Sequence, residues 1–183
     1  MMPEKETAAA DEESLRKTIA HEIFHILSRN NPELRERLYR LIGFDACDEI
    51  GFPPEVESRK ITNPDAPRND HAIRVKANGR EVSVVPILFS SAPNYDPVRG
   101  GEFFNYLQLA FVPVSKSPAP ASQLLELQHL SGFVEQVGRN TNYIIHPEEI
   151  LADNFALLRM GTRDVPSQEI LEKIRRALDK NDR

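Results

Sequence analysis

The sequence predicts an α+β domain on three observations. Apolar residues recur at helical spacing towards both ends of the chain, an Asn-Gly turn joins two alternating segments in the middle, and a proline-rich stretch separates these regions. The 183 residues, 40% hydrophobic and 28% charged, suffice for one core and have the balance of a globular domain. With 28 acidic against 23 basic residues the net charge is −5, so no overall basic field attracts nucleic acid. No run approaches the roughly 20 apolar residues of a membrane span. The start, MMPEKETAAADEES, is acidic where a secretory signal is basic and then apolar. The expectation is a cytoplasmic protein with neither nucleic acid nor membrane as partner.

Residues 1–10 are expected to be a disordered tail, leaving 11–183 as a single domain. From Asp11, Leu15, Ile19, Ile23, Ile26 and Leu27 recur mostly at spacings of three and four, predicting a helix to about Arg29 whose stripe faces the core. Pro32 suits the first turn of a second helix that ends near Gly43. Pro53, Pro54, Pro64 and Pro67 mark residues 51–70 as an extended loop. A hairpin over 72–85 follows, because Asn78-Gly79 is a two-residue turn; pairing Ala77 with Arg80 then sets Val75 opposite Val82 and Ile73 opposite Val84. Residues 104–114 read as a third strand of a small antiparallel sheet. Helical spacing returns from Ser122 to Gly138 through Leu124, Leu127, Leu130, Phe133, Val134 and Val137. Two further helices are predicted, from Pro147 to about Met160 and from Pro166 to about Lys180.

The first helix contains His21-Glu22-Ile23-Phe24-His25. Positions i and i+4 lie about 40° apart in projection, so both imidazoles can bind one metal ion. Glu22, about 100° from His21, can reach a water at that metal without being a ligand itself. Cys47 is the only cysteine, which excludes a disulfide framework and a zinc site built from several thiolates. Tetrahedral zinc with an open catalytic position needs a third protein ligand, and HPEEILADNFALL offers one. Glu149 and Asp153 share a helix face with Ala152 and Ala156, whose small side chains let another helix approach. Glu149 is therefore the expected third ligand, and Asp153 the expected acceptor for the second ring N–H of a ligand histidine. Glu148 has Ala152 one turn on and is expected to be a solvated residue of an acidic helix start. Tyr143 and His146, just ahead of that helix, are candidate donors to a developing oxyanion, His146 being equally a candidate cap. His71 could reach the site from the sheet edge, although a lone histidine beginning a strand is expected to be structural or solvated. His129 is expected at the surface, and Cys47 as a small packed residue.

IAHEIFHIL followed by EILADNFALL resembles the zincin metallopeptidases, in the gluzincin branch whose third ligand is a glutamate. Glu149-x-x-x-Asp153 is similar to the ExxxD element of thermolysin-like enzymes. Glu149-x-x-Ala152-Asp153-x-Phe155-Ala156 is similar to the E-x-x-A-N-x-F-A element of ImmA/IrrE-type peptidases. The resemblance implies a zincin-like fold with the HExxH helix packed on the Glu149 helix beside the sheet. It also implies zinc (Zn2+) held by His21, His25 and Glu149, with Glu22 as general base and later proton donor, and Asp153 supporting a ligand histidine. The activity implied is that of a zinc-dependent metallopeptidase acting on a peptide or protein substrate. Zincins place the substrate-binding sheet before the HExxH helix, whereas here the predicted sheet lies between the two motifs. Either the sheet is connected differently or an upstream substrate-binding portion is lacking. An extended peptide is expected to add as a strand along Phe104–Val112. The alternative is a non-catalytic, zinc-stabilised regulatory or protein-interaction module on the same fold.

Overall fold

Asn78 and Gly79 adopt φ of 50° and 77°, two successive left-handed residues that match the twist of flanking strands and close a tight hairpin. They join β2 (His71–Ala77) to β3 (Arg80–Ser90) in the expected register, with Ile73 opposite Val84 and Val75 opposite Val82. This computed structural model describes residues 4–114 and 124–179, with residues 4–10 described by backbone alone. Six α-helices and one five-stranded antiparallel sheet are found among the described residues. β4 (Leu107–Pro113) pairs with β3 on one side. On the other side, β1 (Phe44–Ala46) and β5 (Leu130–Ser131) both pair with β2.

Alternation along the strands buries both faces of the sheet. Ile73, Val75, Val84 and Phe111 join the main core, where they meet α1 (Glu4–Asn30), α2 (Pro32–Leu41), α5 (Pro147–Met160) and α6 (Gln168–Asp179) through Phe24, Leu38, Ile150, Leu151, Phe155 and Ile170. Ile87, Phe89, Ala110 and Val112 face the other way, against Phe52 and Val56 from α3 (Pro54–Glu57) and the turn before it. β3 outruns β2, and residues 59–61 of the proline-rich loop take the vacant edge: the Ile61 amide donates to Leu88 O at 3.0 Å, and the Ser90 amide to Arg59 O at 2.8 Å. The loop is thereby stitched to the sheet. No helix among the described residues is long and apolar enough to cross a membrane.

Several expectations change. α1 begins at Glu4, ahead of the expected Asp11. Its buried face carries Ala20, Phe24, His25 and Ser28, while Leu15, Ile19, Ile23 and Ile26, expected to face the core, are exposed. The predicted helix from Ser122 to Gly138 is instead a 3-10 turn at Leu127–His129, then β5, then the short α4 (Phe133–Val137); Ser122 itself lies outside the described residues. Gly132, at φ 88°, interrupts the leucine spacing, and α4 still ends at Gly138, φ 80°. Residues 103–106 form a 3-10 turn, so the third strand starts at Leu107. The outer edge of β4 is in part occupied, since Phe111 and Leu125 exchange two backbone hydrogen bonds of 2.9 Å. The end of the last helix at Lys180 lies outside the described residues.

Candidate metal centre

α1 packs against α5 more extensively than against any other helix. His21 meets Asp153 and Glu149, whereas His25 and Ser28 meet Glu148, so the two helices run antiparallel. Phe24 packs on Phe155 with ring centroids 5.6 Å apart, and Ala152 and Ala156 are fully buried. This contact brings together the two motifs, although 124 positions separate His25 from Glu149.

His21, His25 and Glu149 each present a ligand atom, all within 4.8 Å of one another. His21 Nε2 is 3.3 Å from one Glu149 oxygen, and His25 Nε2 is 3.8 Å from the other. Ligand atoms around tetrahedral zinc, with bonds of about 2.0–2.1 Å, lie about 3.3 Å apart; the two histidine-to-glutamate distances are near that spacing, and the set, spread within 4.8 Å, would have to draw slightly together to share one ion. The Nδ1 atoms supply a second test. His21 Nδ1 donates to Asp153 at 3.0 Å, and His25 Nδ1 donates to Glu148 at 3.0 Å. Each carboxylate fixes the tautomer that leaves Nε2 turned towards the cluster, the arrangement usual for metal-ligating histidines.

Glu148 is the residue the sequence reading misassigned. It is buried rather than solvated. Its Oε1 accepts from His25, and its Oε2 accepts from Ser28 Oγ at 2.7 Å and Tyr39 OH at 2.5 Å. Burial, and then the neighbouring Glu148 charge, raise the Tyr39 pKa and keep the phenol a donor. Three further residues had no local signal. Asn63, carried by the proline-rich loop, donates to Glu149 Oε1 at 2.6 Å. Thr141 donates to Asp153. Asn140 bonds both Asn154 and Ser167, holding the segment before α5 against the site.

The hydrogen bond to Asp153, followed by that to Glu149, raises the His21 pKa to about 10 despite partial burial. Burial opposes charge on His25, but the bond to Glu148 and the charge of Glu149 outweigh it and raise that pKa too. Burial likewise opposes ionisation of Glu149 and Asp153; bonds from His21 and from Asn63 or Thr141 reverse the balance and lower both. These hydrogen bonds favour the protonated ring of His21, so a cation bound at its Nε2 would compete with that proton.

The remaining candidates divide. Glu22 is exposed and has no hydrogen-bond or ion-pair partner among the described residues. Tyr143 is 45% exposed; burial, then the charges of Glu149 and Asp153, raise its pKa. His146 caps α5, its Nδ1 accepting from the Glu148 amide at 3.1 Å, and only its Nε2 is left without a partner. His71 spends both nitrogens on carboxylates, Nδ1 on Asp70 at 2.7 Å and Nε2 on Glu36 at 3.1 Å. His129 is exposed and Cys47 half-buried.

Burial pushes the His146 pKa down to about 4, which has a consequence for acid stability. The folded state holds this ring neutral, while the unfolded chain takes up a proton below about pH 6.5. Between pH 6.5 and 4 the unfolded state therefore binds more protons, and stability falls as the pH falls. His146→Asn keeps a capping acceptor and removes the titration. Compared at equal metal content in urea unfolding, the wild type should lose up to roughly 3 kcal/mol more than the variant between pH 7 and 4. Parallel stability curves would refute this.

The chain matches no protein-family model, no curated protein and no solved structure.

Proposed function

We propose that the chain is a zinc-dependent metallopeptidase. The observation that carries this is the convergence of His21 Nε2, His25 Nε2 and the Glu149 carboxylate, with each histidine turned by its own carboxylate. Bound zinc would supply a Lewis acid for a peptide carbonyl and for water. Glu22 takes the proton of the attacking water and delivers it to the leaving amine nitrogen. With no hydrogen-bond or ion-pair partner among the described residues, the carboxylate is free to turn between the two. Tyr143 is the donor assigned to the carbonyl oxygen as charge develops there, its raised pKa keeping the hydroxyl protonated.

Elemental analysis tests the site. One zinc per chain is expected for the wild type, with loss of stoichiometric metal in His21→Ala and Glu149→Ala. Because the His21 ring holds its proton to about pH 10 without metal, zinc uptake near pH 7 should release a proton, and affinity should rise about tenfold per pH unit per proton displaced. Wild type without zinc, or Glu149→Ala with unchanged affinity, would sink the assignment. A second reading, a zinc-stabilised interaction module without turnover, is favoured by the exposed aliphatic residues Leu15, Ile19, Ile23 and Ile26 on the same helix.

A further inference from the structure

Leu15, Ile19, Ile23 and Ile26 of α1 are 59, 49, 48 and 62% exposed. On the helical wheel they fill an arc of about 80°, with Glu22 about 20° beyond one edge and His25 and His21 further round. Single exposed aliphatic residues are ordinary, but four form a continuous strip here on a helix that is exposed all round over residues 11–19 and buries its opposite face only from Ala20 onward, and among the described residues nothing covers the strip. We propose that this strip is the interface of a homodimer in which α1 packs antiparallel on α1 of a second copy across a two-fold axis.

The pattern is complementary to itself, as a two-fold interface requires. When Leu15 is level with Ile26 of the second copy, Ile19 lies within one residue, about 1.5 Å along the axis, of Ile23, so every aliphatic residue meets another. The same pairing sets Asp11 across from Arg29, at the same angle on the wheel and on the same flank. Asp11 has no ion-pair partner among the described residues, and Arg29 makes only an exposed contact of 3.3 Å with Asp65. A parallel pair would instead set Glu12 of each copy against Glu12 of the other and leave Asp11 and Arg29 far apart. The antiparallel dimer places both Glu22 carboxylates on one face, each beside the other copy's helix. That helix forms a wall next to Glu22 which the single chain does not supply.

Sedimentation of the full chain should show a concentration-dependent equilibrium between monomer and dimer. Ile19→Glu should weaken the dimer at least about hundredfold, and Ile23→Ser should weaken it less, with melting of the monomer unchanged because both side chains are exposed. In a Cys47→Ser background, Leu15→Cys copies mixed with Ile26→Cys copies should form a disulfide-linked dimer, and neither should do so alone. A monomer at all concentrations, a dimer indifferent to both substitutions, or cross-linking of Leu15→Cys with itself would overturn the proposal. These readouts need neither zinc nor activity, so they stand or fall apart from the peptidase reading.

Discussion

Glu22→Gln is expected to lower hydrolysis of a general protein substrate such as casein by at least about 10²–10⁴-fold, with zinc content unchanged. Glutamine has the same shape and cannot take a proton from water. The Glu22 side chain is exposed and makes no hydrogen bond among the described residues, so its replacement should alter stability by no more than about 0.5 kcal/mol. A loss of activity without loss of metal or stability would therefore report on chemistry alone. Retained activity would remove Glu22 as the base. A wild-type protein that binds one zinc and cleaves neither casein nor a mixed peptide library would favour the interaction module.

Glu148→Ala is expected to be the most destabilising single change in the site. It leaves three buried donors without an acceptor: His25 Nδ1–H, Ser28 OH and Tyr39 OH. Removing a buried charged acceptor from such a cluster typically costs about 3–5 kcal/mol. The loss of His25 orientation should also weaken zinc about 10–100-fold. Asp153→Ala should cost less, because the Asp153 side chain is 23% exposed and water can replace it. Urea unfolding with and without zinc, together with a zinc competition titration, would measure both effects. A change under about 1 kcal/mol with affinity intact would mean that Glu148 does not support His25.

Where the governing physics was local, the sequence was legible. Asn78-Gly79 dictated both the turn and the register, because two left-handed residues in succession admit little else. The two histidines one turn apart, and Glu149 with Asp153 one turn apart, needed only helical geometry. Periodicity announced α1 but not its orientation. A helix that turns His21 and His25 towards α5 cannot also bury Ile19 and Ile23, which lie on the opposite side of the wheel, and the apolar stripe alone pointed the other way. Glu148 escaped for a related reason. Helical spacing picks out one face of α5, yet His21 and His25 approach from different heights and find their acceptors, Asp153 and Glu148, on two flanks. β5 was read as helix because its pairing depends on the free edge of β2, more than fifty residues earlier, although Gly132 was a local warning. Asn63 and Tyr39 reach the site from elements whose own patterns carry no hint of it.

The antiparallel contact between α1 and α5 also sets a timetable. A ribosome makes α1 first, with Phe24, His21 and His25, and makes Glu148, Glu149, Asp153 and Phe155 only after the whole sheet. Until α5 emerges, Phe24 has no Phe155 to pack on, His25 has no Glu148, and the pair of imidazoles has no Glu149 beside it. Contacts of such long sequence separation form late and expose apolar surface while they wait. On the proposed reading zinc would load only once α5 has been made, and a nascent chain arrested before Pro147 should hold the ion no better than a short peptide carrying HEIFH alone.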